Sequence, residues 1–275
     1  KVPYQTPLST IRRKLEERQS VRNNITDISE RVKLTKDETH SDSAKALAGT
    51  TFEAVSEAAY NVFNGLIEET EEREADLMLM GWQGGFSIGR IYNSPVQKII
   101  KNLKADVGIL KDRGLDNIDS VLLPWGGGYH AQLGLEIGLR IARNLDAKLT
   151  ILRLVKPGTV KENEQKELEK IIKPLTQSFS NLDILIRESD GVANGIDQVL
   201  KEGDYDLTII GASHEWGIRN VLFGTITDIV ADSAPCSVLM VRRYLTEDWK
   251  LKASESLKRM KEQLGMTSSP ESDEK

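Results

Sequence analysis

Residues 206–242, DLTIIGASHEWGIRNVLFGTITDIVADSAPCSVLMVR, read as strand, glycine turn, loop, helix and strand. Residues 207–210 are a short apolar run rich in Ile and ended by Gly211, which suits a strand buried on both faces of a parallel sheet. Gly224 and Thr225 open a helical pattern in which Ile226, Ile229 and Val230 share one face. Pro235 ends that helix, and residues 238–241 form a second buried strand. A glycine turn after a parallel strand lets backbone approach a ligand, and a helix start offers free N–H groups to an anion. This is the layout of a phosphate site, and the same layout also occurs empty.

The segment resembles the universal stress proteins, whose nucleotide-binding members carry Gly, two residues, Gly, nine residues and then Gly-Ser or Gly-Thr. Here Gly211 fills the first place, His214 stands where the second glycine belongs, and Gly224-Thr225 complete the spacing. The resemblance implies an adenine-nucleotide site made from Gly126, Gly127, Val155, Gly211, His214, Gly224 and Thr225. In nucleotide-binding members an aspartate just after the first strand holds the adenine; the matching position here is Gly126. Loss of that acceptor implies ATP or AMP held weakly, and in the second half of the chain only. A side chain at 214 crowds the approach of phosphate to backbone, or donates a hydrogen bond to it. Trp125 either stacks on a ring or packs at the turn.

Working outward, a shift of 130 positions carries residues 206–211 onto 76–81 (DLMLMG). It also pairs Val192, Asn194 and Gly195 with Val62, Asn64 and Gly65, Trp216 with Phe86, Ile218 with Ile88, Ile229 with Ile99, and Leu239 with Ile109. Two copies of one α/β unit are expected. Residues 115–243 hold a complete one: strands at 118–124, 149–155, 182–187, 207–210 and 238–241, with helices at 131–145, 164–179 and 192–201 between them. Alternating strand and helix predicts a doubly wound, Rossmann-like parallel sheet with ligands beyond the carboxyl ends of the strands, and the family resemblance implies the order 3-2-1-4-5. Residues 1–114 form the other unit, with a helix at 59–72 and a strand at 76–80. The second unit uses 88 positions between its first strand and Asp206, yet only 75 residues precede Asp76. The first unit is therefore read as truncated at its N-terminus, without strand one and most of strand two. Residues 244–275 read as an amphipathic tail helix and a polar end.

Composition bounds the function. With 275 residues there is room for two ordinary units. The formal charge of −5 gives no electrostatic reason for a nucleic-acid partner. The single cysteine, Cys236, lies in an apolar strand and reads as a small buried residue, so a reducing, cytoplasmic setting is expected. The histidines at 40, 130 and 214 are too scattered for a metal site. No nucleophile–base pair, motif-placed carboxylate pair or P-loop lysine appears, so no enzymatic activity is expected. In the first unit Ser94-Pro95 replaces Gly-Thr, which removes an N–H donor and predicts no nucleotide there.

The junction LKDRGLDNIDSVLLPWGGGYHAQLGLEIG (residues 110–138), with VPYQTPLS (residues 2–9), resembles a tandem stress-protein-like region. That region follows the membrane domain of some prokaryotic transporters, the amino-acid permeases of the amino acid–polyamine–organocation superfamily and related cation–chloride cotransporters. Two functions follow from the resemblances. One is a cytoplasmic regulatory and dimerisation module of an amino-acid or cation transporter, paired as a homodimer through the strand at 238–241. The other is a soluble tandem universal stress protein that binds ATP or AMP in the stress response.

Overall fold

The structure, a computed structural model, describes residues 62–82, 99–100, 102–176, 179–212 and 225–245. They form helices α1 (Val62–Glu72), α2 (Gly128–Leu145), α3 (Lys161–Ile172), α4 (Val192–Glu202) and α5 (Thr225–Ser233). The strands are β1 (Leu77–Gly81), β2 (Asp106–Lys111), β3 (Ser120–Pro124), β4 (Lys148–Val155), β5 (Leu182–Glu188), β6 (Leu207–Gly211) and β7 (Ser237–Arg242). All seven belong to one sheet in the order β1-β2-β7-β6-β3-β4-β5. Its last five members, β7 to β5, reproduce the 3-2-1-4-5 order that the family resemblance implies. Every junction is parallel except β2–β7.

The reason for strands here is burial on two faces. Val121, Leu123, Leu149, Ile151 and Ile209 pack on one face with Leu135 and Leu139 of α2 and Leu168 of α3. Leu122, Leu152 and Ile210 pack on the other with Ile196 of α4 and Val230 of α5, and Phe63 and Ile67 of α1 lie against the same cluster. Period-two alternation along strands that carry apolar residues on both faces gives two cores from one sheet. α2 begins at Gly128, three residues earlier than its apolar periodicity suggests, because the glycines after β3 enter the helix. α5 buries Thr227, Val230 and Ala231, whereas Ile229 is 49% exposed. The helix is therefore rotated by one position from the face read in sequence.

That rotation belongs to a larger correction. Asp106 is paired with Leu77 and stands 29 positions after it; Ser237 is paired with Leu207 and stands 30 after it. Beyond the strand at 77–81, the alignment expected between the two segments would need a shift of 131 rather than 130. Val230, not Ile229, is the buried counterpart of Ile99. Met240, not Leu239, is the counterpart of Ile109: the two are paired across the β2–β7 junction and share a core. A one-residue slip would move every side chain of a strand to the wrong face, and the apolar environments reject it.

The expectation that residues 238–241 pair two copies of the chain meets a physical obstacle. β7 has β6 on one side and β2 of the same chain on the other, from Val107↔Arg242 to Lys111↔Val238. Its edge is already hydrogen-bonded. The remainder of strand two expected before the helix at 59–72, and the tail helix beyond residue 245, lie outside the described residues.

Charged groups clamp the β2–β7 junction. Arg242, 3% exposed, donates to Leu103 O and Ala105 O at 3.3 Å each. Burial lowers its guanidinium pKa to about 10. Asp106 accepts the Tyr244 N–H at 2.7 Å and lies 3.7 Å from Arg243 Nε, while Arg243 also pairs with Glu136 of α2. Burial outweighs those partners and holds the Asp106 carboxyl above its usual range. At the other end of the junction Asp112 accepts N–H groups of Gly114 and Leu115, at 3.0 and 2.9 Å, which lower its pKa.

Two predictions follow from this junction. Ile109→Ala and Met240→Ala should each cost about 2–5 kcal/mol. Because they face one another, the double mutant should depart from additivity by about 0.5–3 kcal/mol in urea titrations; strict additivity would contradict the register. A raised folded pKa means that Asp106 contributes most below its unfolded value of about 3.9 and loses that contribution as pH rises through the folded pKa. Asp106→Asn should therefore gain stability relative to the native chain as pH climbs from about 4. Asp112→Asn should lose stability relative to the native chain as pH climbs toward about 4, since a lowered pKa has the opposite sign and its window lies below the unfolded value. Denaturation at several pH values checks both directions.

Candidate functional site

The carboxyl edge of β3, β4 and β6 brings together several of the residues singled out in sequence. β3 ends at Pro124, β4 at Val155 and β6 at Gly211, and α2 and α5 start beside them. Trp125 N–H donates to Leu152 O at 2.7 Å, and Ser189 N–H donates to Val155 O at 2.9 Å, so the loops leaving this edge are pinned to neighbouring strands. Thr227 Oγ1 donates to Gly211 O at 3.1 Å, and Ala212 N–H donates to Val241 O at 2.8 Å. His214 and Gly224 lie outside the described residues, and of Thr225 the backbone alone is described, as the first residue of α5.

The start of α2 has the properties of an anion cradle. Gly127 caps it with φ 80° and ψ 177°, a conformation closed to L side chains, and no side chain caps the helix. Its first turn carries no acidic residue, unlike that of α3, which has Glu162 and Glu164. The leading N–H groups and the positive end of an 18-residue helix dipole thus meet no carboxylate of their own first turn. At Gly126 a Cβ would meet nothing within 4 Å. That position has room for a base or for a larger side chain.

Gly211 turns out differently. A Cβ there would lie 2.8 Å from His130 C and 2.9 Å from Ala131 N. The glycine lets the first turn of α2 approach β6; its free space is occupied by backbone. His130 is 3% exposed, and its Nδ1 accepts the Arg243 N–H at 2.9 Å, which ties the same turn to the end of β7. Tyr129 lies edge-on to it, at 4.4 Å between ring centroids, with its phenol pKa raised by burial. Trp125 is 8% exposed and packs in the α2-side core, which decides between packing and stacking in favour of packing. Sequence offered no sign of Arg153, whose Nε pairs with Glu164 at 3.1 Å and whose guanidinium lies 3.5 Å from Trp125 O.

The opposite edge holds a cleft of about 660 Å³ bordered by Asp116, Asp119, Asp204, Asp206 and Cys236. Asp206 accepts N–H groups of Asp119 and Ser120 at 2.8 and 2.9 Å, closing the amino ends of β3 and β6. Burial pushes the Cys236 thiol pKa up, and its sulfur lies 3.3 Å from Thr208 Oγ1, so it is an inert packing group. Arg113 and Lys201 border the same cleft, so its rim carries both signs of charge. Among the described residues, no group of three or more His, Cys, Asp or Glu is placed to hold a metal, and no helix is long and apolar enough to cross a membrane.

Residues 117–242 match the universal stress protein family and form a universal stress protein domain. No curated protein matches the chain. Among solved structures, it is similar to a universal stress protein from Archaeoglobus fulgidus DSM 4304, with 17% identity, 82% of this chain and 80% of that chain covered, and a TM-score of 0.56. It is also similar to a functionally unknown protein from Pseudomonas aeruginosa PAO1, with 15% identity, 81% and 84% covered, and a TM-score of 0.51. These likenesses show the fold.

The packing at this edge makes the two glycines unequal. Gly211→Val should destabilise the protein by about 1–3 kcal/mol through displacement of α2, whereas Gly126→Val should cost less than about 1 kcal/mol because its side chain enters open space. Equal losses in urea titrations would contradict the close approach of α2 to β6.

Proposed function

We propose that the chain is a non-catalytic regulatory module of two tandem universal-stress-protein units, residues 1–114 and 115–243, attached to a prokaryotic amino-acid or cation transporter. Its second unit binds ATP or AMP weakly at the carboxyl edge. The observation that carries this reading is the bare start of α2: a glycine cap, no side-chain cap and no acidic first turn, beside the ends of β3, β4 and β6. Phosphate would take the N–H groups at the starts of α2 and α5, with Gly127 and Thr225 at the contact and Gly126 and Val155 toward the base. With no carboxylate at 126, the adenine loses its anchoring acceptor. The β2–β7 junction offers a route for coupling, because a ligand that favours one geometry of α2 acts on Arg243 through Glu136 and His130, and through it on Asp106 of the first half. The attachment itself is supported by the sequence resemblance at residues 2–9 and 110–138.

Two measurements test the proposal. Calorimetry with ATP and AMP should give micromolar or weaker binding, on the order of −8 kcal/mol at best, reduced further by Thr225→Pro. Gly126→Asp, which enters open space and restores an acceptor, should tighten binding at least about tenfold, about 1.4 kcal/mol and close to the lower end of the ~1.5–3 kcal/mol of a hydrogen bond to a charged group. Tight binding that survives Thr225→Pro, or indifference to Gly126→Asp, would remove the site. The transporter role is tested by transport in the parent with and without residues 1–275. Unchanged rate and unchanged nucleotide response would favour the soluble stress protein instead.

A further inference from the structure

The start of α2 is tied to the exit of β7 through a titratable side chain. His130, the third residue of α2, is buried, and its Nδ1 accepts the backbone N–H of Arg243, the first residue after β7, at 2.9 Å. A ring nitrogen that accepts a hydrogen bond carries no proton, so the imidazole is neutral and holds its proton on Nε2. The backbone behind the ring cannot move toward the sheet. A Cβ on Gly211 of β6 would stand 2.8 Å from His130 C and 3.0 Å from His130 O.

Among the described residues, the titratable and charged groups on the elements around this ring are already engaged with others. Glu136 of α2 and Asp106 of β2 both pair with the Arg243 guanidinium, and Asp106 also accepts the Tyr244 N–H. Arg242 donates to Leu103 O and Ala105 O, and Arg153 of β4 pairs with Glu164 of α3. Tyr129 meets the imidazole edge-on, and β6 meets this turn with the glycine at 211. A proton arriving at Nδ1 turns the acceptor into a donor. Two N–H groups would then face one another across 2.9 Å, and the bond is lost. The new positive charge would also stand in the first turn of a helix, where the dipole opposes it.

We propose that His130 is a pH-sensitive latch: the neutral ring fastens the first turn of α2 to the exit of β7, and the protonated ring releases it. Imidazole is the side chain whose ordinary titration, near about pH 6.5, falls in the physiological range. The folded chain must break a hydrogen bond to bind this proton, and the unfolded chain need not. The contribution of the bond is therefore present above about pH 6.5 and lost as pH falls below it. Packing of the turn on Gly211 does not titrate, so the loosening is confined to the tie between α2 and the Arg243 segment. The latch rests on this bond and on neither nucleotide nor transporter, so its failure and theirs are separate results.

Nuclear magnetic resonance on the full chain tests it through two readouts. The ring nitrogens of His130 should show the Nε2–H tautomer at about pH 7.5 and take up a proton between about pH 6.5 and 5.5. Over that interval the exchange protection of the Arg243 amide, corrected for the intrinsic pH dependence of exchange, should fall about fivefold to tenfold. Protection of Ile151, fully buried in β4, should stay unchanged. His130→Asn, which sets a non-titrating carbonyl oxygen in place of Nδ1, should keep the protection and lose its pH dependence. Asp106→Asn should leave the dependence in place; if it abolishes it, the carboxyl is the switch and the proposal fails. An Nδ1–H tautomer at about pH 7.5, a ring still neutral at about pH 5, or an Arg243 amide protected beside a protonated ring overturns it. A parallel loss at Ile151 also overturns it, because the transition is then unfolding of the whole sheet. The native chain decides these outcomes whether or not the His130 variant folds.

Discussion

The antiparallel pairing of β2 with β7 is the contact on which the rest of the molecule depends. Five residue pairs, from Val107↔Arg242 to Lys111↔Val238, join two groups of strands that are parallel within themselves. Without it β1 and β2 would form a two-stranded ribbon, too small to be stable in water. With it, Val107 and Ile109 enter the same core as Val238 and Met240, and all four are fully buried. Main-chain hydrogen bonds and a shared apolar layer therefore act together, and the ion pairs of Arg243 with Asp106 and Glu136 fasten the margin rather than supply the adhesion.

The same junction organises the candidate site at a distance. Arg243 follows β7 directly, and its backbone N–H meets His130 in the first turn of α2 while its guanidinium meets Glu136 further along. The turn that presents free N–H groups at the carboxyl edge is thus held by β6, through the missing side chain of Gly211, and by the residue that leaves β7. Rigidity at an anion cradle matters because donors that need no rearrangement bind at lower cost. The opposite edge is built to another purpose: Asp206 uses its carboxylate to hold the entries to β3 and β6, at the end where a parallel sheet does not receive phosphates.

Sequence reasoning named Gly126, Gly127, Val155, Gly211 and the start of the helix at Thr225 before any coordinates, and the fold brings these to one edge. The family resemblance singled them out, and they meet because parallel strands send all their carboxyl ends the same way. What each glycine is for was not legible. Gly126 and Gly211 look alike in the chain, yet one borders open space and the other touches the backbone of α2. That difference depends on where a helix 80 positions away comes to rest.

Strand positions in residues 118–241 and the doubly wound character were determined by sequence alone, since they rest on local periodicity and on the chirality of strand–helix–strand connections, while the order 3-2-1-4-5 came with the family resemblance. Tertiary structure decided what local pattern leaves open. The shift of 131 beyond β1 reads almost as well as 130 in a list of aliphatic residues, and becomes unequal only when Ile109 faces Met240 across a junction and a slip would turn Leu239 into the wrong core. The partner of β7 was likewise beyond the sequence, because an exposed strand edge has the same hydrogen-bonding groups whether a second chain or β2 of its own chain comes to meet it.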